Sequence, residues 1–314
     1  RQFCSMFLTP LLLKTHLNID YIHLLKSSLD GIPPTEAVKF FHGLRLLKRG
    51  VLSHIYFPAK VENAILKNER DDAKAKNRHP QRHSKAMVIG LVQSLKTLVN
   101  KLEFNIGHTD WSKYDTTHSY EDYDLNLKKA FVEKHASSNL RNHIWDIGCN
   151  TGTFSRICSK HCNQVISVDG DFAAIERLYL AEKKNSDSNI LPLVIDMANF
   201  SPPQGFASKE RKGFDMRGNP DLIVCLALIH HMRISSNIPN LVFIRYLRSL
   251  ESEVIIEFVD RHDEMVEKLL TNKKEPYIDY NRDQFISEIE KCFIIQDRQL
   301  LKNGKRELFF LTPA

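Results

Sequence analysis

Three acid-bearing runs and a pair of histidines hold most of the chemistry this chain offers. The first is Trp145-Asp146-Ile147-Gly148-Cys149-Asn150-Thr151-Gly152-Thr153-Phe154. Glycine is useful there because the backbone can turn tightly and meet a ligand with no Cβ in the way. A dinucleotide loop wants G-x-G-x-x-G, and Gly148, Asn150 and Thr153 at those offsets match it poorly. Asp146 at the loop's start would also repel a pyrophosphate and attract a cation. Roughly 20 residues on, Val168-Asp169-Gly170-Asp171 provides an acid suited to two ribose hydroxyls. Val194-Ile195-Asp196-Met197 then provides an acid for an adenine amino group and an apolar side chain for its ring. S-adenosylmethionine, which carries an ammonium and a sulfonium and no phosphate, suits this set. Acids at strand ends also cap helices, and Asp171 reads equally as an N-cap. Further on, Ile229-His230-His231 brings two imidazoles whose ordinary pKa of about 6.5 suits a general base. The alternative is a histidine packed under an adenine or bonded to a helix end.

These runs need strands to carry them. From residue 140 onward, short apolar stretches at His143–Ile147, Val165–Val168, Ile190–Ile195, Leu222–Leu228 and Val254–Val259 alternate with helical patterns at Thr153–Ser159 and Phe172–Lys184. Runs this short and apolar fit parallel strands covered on both faces. The acids then fall at the carboxyl ends of successive strands, where open α/β sheets bind ligands. The chain finishes with runs at Phe293–Gln296, Gln299–Leu301 and Glu307–Leu311, the last preceded by Asn303-Gly304, a strong hairpin signal. The expectation is an α/β fold: a doubly wound, mostly parallel sheet closed by a C-terminal antiparallel hairpin.

Residues 1–110 differ. Leu44, Leu47, Val51 and Leu52, then Leu91, Leu95, Leu98 and Leu102, recur at helical spacing. Gly31-Ile32-Pro33-Pro34 interrupts one helical stretch and Thr35 to Val38 restarts another. Asn68 to Ser84 has no apolar periodicity and reads as a loop or excursion. The chain's net charge of +6 splits into +8 for residues 1–110 and −2 for the remainder, with Lys74, Lys76, Arg78 and Arg82 at the basic centre. That is either an electrostatic footprint for nucleic acid or a solvated helix face. The expected division is a helical, basic region over 1–110 and a catalytic domain over 111–314. The longest uninterrupted apolar run, Leu222–Ile229, is too short to cross a membrane. Six cysteines without framework spacing indicate a reducing, cytoplasmic setting. A start at Arg1 without Met suggests the C-terminal part of something longer.

Asp146 to Gly152, Val168 to Asp171 and Asp196-Met197 resemble the first three motifs of class I S-adenosylmethionine-dependent methyltransferases. In that family the terminal hairpin supplies an antiparallel strand inserted into a seven-stranded sheet. Trp111-Ser112-Lys113-Tyr114, Ile190-Leu191-Pro192-Leu193, Ala227-Leu228-Ile229-His230-His231 and Ile255-Ile256-Glu257-Phe258-Val259 resemble its nodulation-protein-like branch. That likeness continues upstream through Arg1-Gln2-Phe3-Cys4 and Asp30-Gly31-Ile32-Pro33 and implies a further region before Arg1. It implies cofactor-binding roles for Asp146, Gly148, Asn150, Gly152, Asp169, Asp196 and Met197. Asn150 replaces a commoner glycine, and asparagine tolerates left-handed geometry better than most residues.

On the acceptor side, His230 and His231 are the candidate catalytic bases. The stretch Ser201–Arg217 and the group Glu257, Asp260, Arg261 and Asp263 could select the acceptor, and Trp111, Tyr114 and Tyr120 could cover the cofactor or simply pack. No Asp/Asn-Pro-Pro-Tyr/Phe follows the fourth strand, against exocyclic amines of nucleic acids. Cys225 sits inside an apolar strand, against a thiolate nucleophile. Cys158, His161 and Cys162 cluster on one turn with no distant fourth ligand, so no metal is expected. The expected function is methyl transfer to a small-molecule or carbohydrate-type acceptor at oxygen. Competing readings are a nucleic-acid-directed methyltransferase using the basic N-terminal region, and a cofactor-binding module without turnover. Oligomeric state is not legible.

Overall fold

The computed structural model describes residues 2–71, 84–104, 122–271, 273–274 and 277–314. Its centre is one seven-stranded sheet: β1 (Arg141–Ile147), β2 (Cys162–Asp169), β3 (Ile190–Val194), β4 (Leu222–Cys225), β5 (Glu253–Val259), β6 (Phe293–Leu300) and β7 (Arg306–Pro313). The order is β3-β2-β1-β4-β5-β7-β6. β1 to β5 are parallel, while β7 pairs antiparallel with β5 on one side and β6 on the other. The doubly wound sheet and the inserted antiparallel strand are as expected.

Alternation along the strands explains why both faces are covered. Trp145, Ile147, Ile223, Cys225, Val254 and Ile256 join one buried cluster, and Ile144, Val165, Leu222, Val224 and Ile255 join the other. The second cluster includes Phe131, Val132 and Ala136 from the helix Asp122–Ala136.

Several boundaries differ from the sequence reading, three of them with a clear consequence. β4 ends at Cys225 rather than Leu228, because Ala227 takes a left-handed conformation (φ 49°) that a strand cannot continue through. The two terminal runs before Asn303 are a single strand, β6, whose apolar alternation is broken by a register shift between Ile295 and Asp297. Asn68 to Asp71 extend the helix Phe57–Asp71 rather than beginning a loop. Residues 72–83, including Lys74, Lys76, Arg78 and Arg82, lie outside the described residues, as do Trp111, Tyr114 and Tyr120.

The chain divides into two compact units, Arg1–Ile106 with Pro202–Gly213, and Gly107–Ser201 with Phe214–Ala314. The boundary expected at residue 110 falls among residues that are not described. The first unit buries Leu8, Leu12, Leu13, Phe41, Val51, Ile55 and Leu98, while Leu44 and Leu47, on a 3-10 turn at Gly43–Leu47, stay exposed. The stretch expected to be an acceptor-selecting loop therefore counts with the helical unit. It is a small hairpin bridged at Gln204 and Arg211. Gln204 Nε2 donates to the Leu25 and Lys26 carbonyls at 3.2 and 2.8 Å, and Arg211 donates to the Leu29 carbonyl at 3.2 Å and to Gln204 Oε1 at 2.9 Å. Its root is closed by the Phe214 N–H donating to the Ser201 carbonyl. Replacing Arg211 by Ala should release the hairpin at a cost of about 1 kcal/mol, a charged donor lost at a partly wet site. Amide exchange across residues 22–32 should then speed about fivefold, and unchanged exchange would show that the hairpin does not brace this unit.

Candidate functional site

β1 ends against the carbonyl of Val168, which accepts from the Gly148 and Cys149 N–H groups at 2.8 and 3.1 Å. Beyond it the loop passes through three left-handed residues, Gly148 (φ 79°), Asn150 (φ 48°) and Gly152 (φ 83°). Gly152 is required twice over. Its φ disfavours any side chain, and a Cβ there would stand 2.5 Å from Leu178 Cδ1. Gly148 has more room, with Leu228 at 3.5 Å from the equivalent position.

Asp169, at the end of β2, clamps the loop. One oxygen accepts the Asn150 N–H at 2.9 Å and the other the Asp171 N–H at 2.8 Å. Burial raises the Asp169 carboxyl above the ordinary carboxylate range, opposed by these N–H groups. Asp171 caps the helix Phe172–Glu182 by accepting from Ala173 and Ala174. Asp196 is exposed at the end of β3 and accepts the Ala198 N–H at 2.9 Å. Met197 beside it is 7 % exposed and packs into the first core cluster.

Asp146 points into the protein. Its carboxyl is 2 % exposed and accepts the Ser155 hydroxyl at 2.5 Å, with Ser167 donating to Ser155 behind it at 2.8 Å. Burial pushes it up to about 7, with the Asp169 charge acting in the same direction and the Ser155 bonds against. The loop's first acid thus ties β1 to the helix Thr153–Cys158 and to β2.

β4 delivers both histidines. After the left-handed Ala227 the chain enters a helical turn, with the His231 N–H donating to the Leu228 carbonyl at 2.9 Å, and the two imidazoles lie 4.1 Å apart. His230 is 2 % exposed, and its Nδ1 is buried without a partner. Burial first, then the charges of His231 and Lys128, hold His230 well below the usual imidazole value. Burial brings His231 down to about 4. Burial thus favours the neutral form of both rings.

The sheet order, with β7 inserted antiparallel between β5 and β6, decides the architecture. It is the seven-stranded sheet that the resemblance to class I methyltransferases implied. In sequence the chain is similar to nodulation protein NoeA of Rhizobium meliloti (strain 1021), 29 % identical over 314 residues, or 98 % of this chain and 65 % of that relative. It therefore spans about two-thirds of the length of the curated relative it matches. The likeness to the nodulation-protein branch read from the motifs is borne out. No family model matches. Similar solved structures include the N-methyltransferase NodS of Bradyrhizobium japonicum WM9 with S-adenosyl-L-homocysteine, at 15 % identity over 71 % of this chain and 98 % of that one, TM-score 0.46. Another is the magnesium protoporphyrin IX methyltransferase ChlM of Synechocystis PCC 6803, at 14 % identity over 65 % of this chain and 93 % of that one, TM-score 0.44.

The acidic group after β5 is placed differently from the acceptor-facing role expected of it. Glu257 is fully buried and ion-paired with Lys128 at 2.8 Å, and Asp263 takes Arg306 through Nε at 2.7 Å and Nη2 at 3.0 Å. Asp260 turns back to accept the His262 N–H. Lys128 escaped the sequence reading because one lysine in the helix Asp122–Ala136 carries no motif. Among the cysteine–histidine cluster, His161 bonds Glu133 at 2.6 Å and Cys162 donates to the Cys158 carbonyl. All six cysteines are free thiols.

Replacing Gly152 by Ala should cost about 2–3 kcal/mol, from left-handed backbone strain and a clash that Leu178 relieves only in part. Chemical denaturation would measure it, and a loss under 0.5 kcal/mol would mean that the loop has another conformation. Because the Asp146 carboxyl binds its proton more tightly folded than at its ordinary 3.8, the stability it confers is complete below about pH 4 and drains away as pH rises to about 7. Asp146→Asn removes that drain. Its thermal midpoint should gain on the wild type between pH 5 and 8, on the order of 2–3 kcal/mol in stability. A constant gap between the two would show that Asp146 ionises normally.

Proposed function

We propose that this chain is an S-adenosylmethionine-dependent methyltransferase acting at oxygen on a small-molecule or carbohydrate-type acceptor, in a reducing, cytoplasmic setting. The observation that carries the reading is the clamp at the end of β1: a loop of three left-handed residues tied by its backbone to Val168 and Asp169. Two buried atoms without partners, Asn150 Oδ1 on that loop and His230 Nδ1 after β4, are what a bound ligand would satisfy. The donor set fits this cofactor. Each Asp169 oxygen accepts a backbone N–H, and the carboxylate keeps acceptor capacity for a ribose hydroxyl. Asp196 is exposed enough to accept an amino group, and Met197, held in the core, anchors the turn that presents it. Gly148, Asn150 and Gly152 shape the loop, and Asp146 holds it from behind through Ser155.

When bound, S-adenosylmethionine supplies an electrophilic methyl group on a sulfonium centre. The chain's own tasks are to hold an acceptor oxygen in line with it and to take the hydroxyl proton. His230 and His231 stand at the ligand-binding edge of the sheet in the neutral form that can accept a proton. The carbohydrate-type acceptor is carried over by analogy with nodulation proteins, not by a contact in the site.

A calorimetric titration with S-adenosylhomocysteine tests the cofactor site. Binding should be micromolar, and Asp169→Ala should weaken it at least tenfold, about 1.4 kcal/mol. A folded protein that does not bind removes the reading. A screen with labelled methyl donor over hydroxyl-bearing small molecules should then find an acceptor whose turnover falls tenfold or more in His230→Asn or His231→Asn. A smaller loss in both variants removes the base role.

A further inference from the structure

The turn that carries the two histidines is not an ordinary helix. His231–Ser235 is one π-helical turn, closed by the Ser236 N–H donating to the His231 carbonyl at 3.0 Å. Left-handed residues bound it, Ala227 (φ 49°) before it and Asn237 (φ 55°) after it. Adjacent side chains on an α-helix do not face each other. Here the rings of His230 and His231 lie 4.1 Å apart at 43°. A wider turn rotates less per residue than an α-helix does, which lets neighbouring imidazoles approach. Such turns are rare and left-handed non-glycine residues are strained, so the segment persists only where its surroundings hold it.

The holding comes from a short segment between the helices Glu264–Leu270 and Arg282–Glu290. Arg233, buried within the turn, gives both prongs of its guanidinium to Asp279, Nε to one carboxylate oxygen at 2.9 Å and Nη2 to the other at 2.8 Å. Its Cζ stands 4.7 Å from the centre of the Tyr277 ring. The Tyr277 hydroxyl donates to Asn237 Oδ1 at 2.7 Å and lies 3.3 Å from the Ile234 carbonyl. Tyr277 is itself left-handed (φ 44°), an outlier for so bulky a residue. Met232 and Ile234 pack into the same buried cluster as Tyr277. One segment thus grips the turn by a forked ion pair, a ring face and a hydroxyl, and takes on backbone strain of its own to do so. Stability alone is a weak reason for the pair, because Asp279 is 46 % exposed and ion pairs open to water contribute little.

We propose that Arg233, Tyr277 and Asp279 are positioning residues: they hold the π turn in its wide form and thereby keep the His230 and His231 imidazoles side by side. The fork matters as much as the charge, because two parallel N–H···O bonds fix a plane and a point charge does not. For the proposed reaction the consequence is orientation. A base must meet the hydroxyl proton within hydrogen-bond reach, and a ring free to turn loses that geometry. This consequence rests on the methyltransferase reading, whereas the link from the Arg233–Asp279 pair to the ring geometry does not.

The test is NMR of the full chain, following the through-space cross-peak between the two imidazole rings, assigned with His230→Asn and His231→Asn. Asp279→Asn keeps the side chain's shape at an exposed position and removes its charge. It should reduce that cross-peak by about half or more and speed exchange of the Ser236 amide about tenfold. Arg233→Lys, which keeps the cation and loses the fork, should do the same. Tyr280→Phe is the control. Its hydroxyl belongs to the same segment but donates to the Val259 carbonyl of β5 at 2.6 Å, so its loss should lower stability and leave the cross-peak intact. A cross-peak unchanged in Asp279→Asn and Arg233→Lys, or reduced as much in Tyr280→Phe, overturns the proposal. Titration of the wild type with S-adenosylhomocysteine is read separately: its failure would remove the methyltransferase reading while the ring cross-peak still decides the role of the pair.

Discussion

A backbone that leaves a parallel strand and turns at once over the sheet's edge must enter left-handed conformations, and those are stable only where the surroundings hold them. Here three fall within five residues, at Gly148, Asn150 and Gly152. The holding is done by β2. The Val168 carbonyl takes two loop N–H groups and the Asp169 carboxylate takes a third. The same carboxylate orders Asp171, which caps the next helix. The loop, the second strand's end and the following helix are therefore one hydrogen-bonded object, and every proposed ligand contact is measured from it.

The second constraint is charge. Asp146, Asp169 and Glu257 lie buried or nearly so toward the carboxyl ends of the parallel strands, and each is raised by its own desolvation. They are treated differently. Asp169 is compensated by backbone N–H groups, Asp146 leans on serine hydroxyls and shares its site with a proton near neutral pH, and Glu257 is matched by Lys128 and Arg306. A site for a cationic ligand needs negative potential at its mouth without a naked carboxylate beneath it. Graded compensation of this kind satisfies both demands.

The second unit also explains why β7 can carry a buried Arg306. The antiparallel strand begins at the edge where the parallel strands end, so its first residue reaches Glu257 on β5 and Asp263 at the start of the helix Glu264–Leu270. The inserted strand thereby closes the sheet and supplies the counter-charge for the row of acids.

Much of this was legible in the residues alone. Short apolar runs set the strands, glycines and asparagine marked the loop, and acids roughly 20 residues apart marked successive strand ends. Local chemistry suffices for these because a turn residue or an apolar run acts on its own neighbours. What a side chain faces was not legible. Asp146 read as an anion offered to a ligand and is turned inward to Ser155. Glu257 and Asp263 read as acceptor contacts and are spent on Lys128 and Arg306. The Ser201–Arg217 stretch read as an acceptor-selecting loop, and its Gln204 and Arg211 are bonded to Leu25, Lys26 and Leu29. Each of those outcomes depends on a partner on another element, from 43 to more than 100 residues away, or on which face of a strand the helix Thr153–Cys158 covers. Sequence determined the elements and the residue types at their ends, because those follow from local propensity and periodicity. Tertiary structure alone decided which carboxylates are buried and what compensates them, because desolvation and Coulomb energy depend on distances that only the packed chain defines.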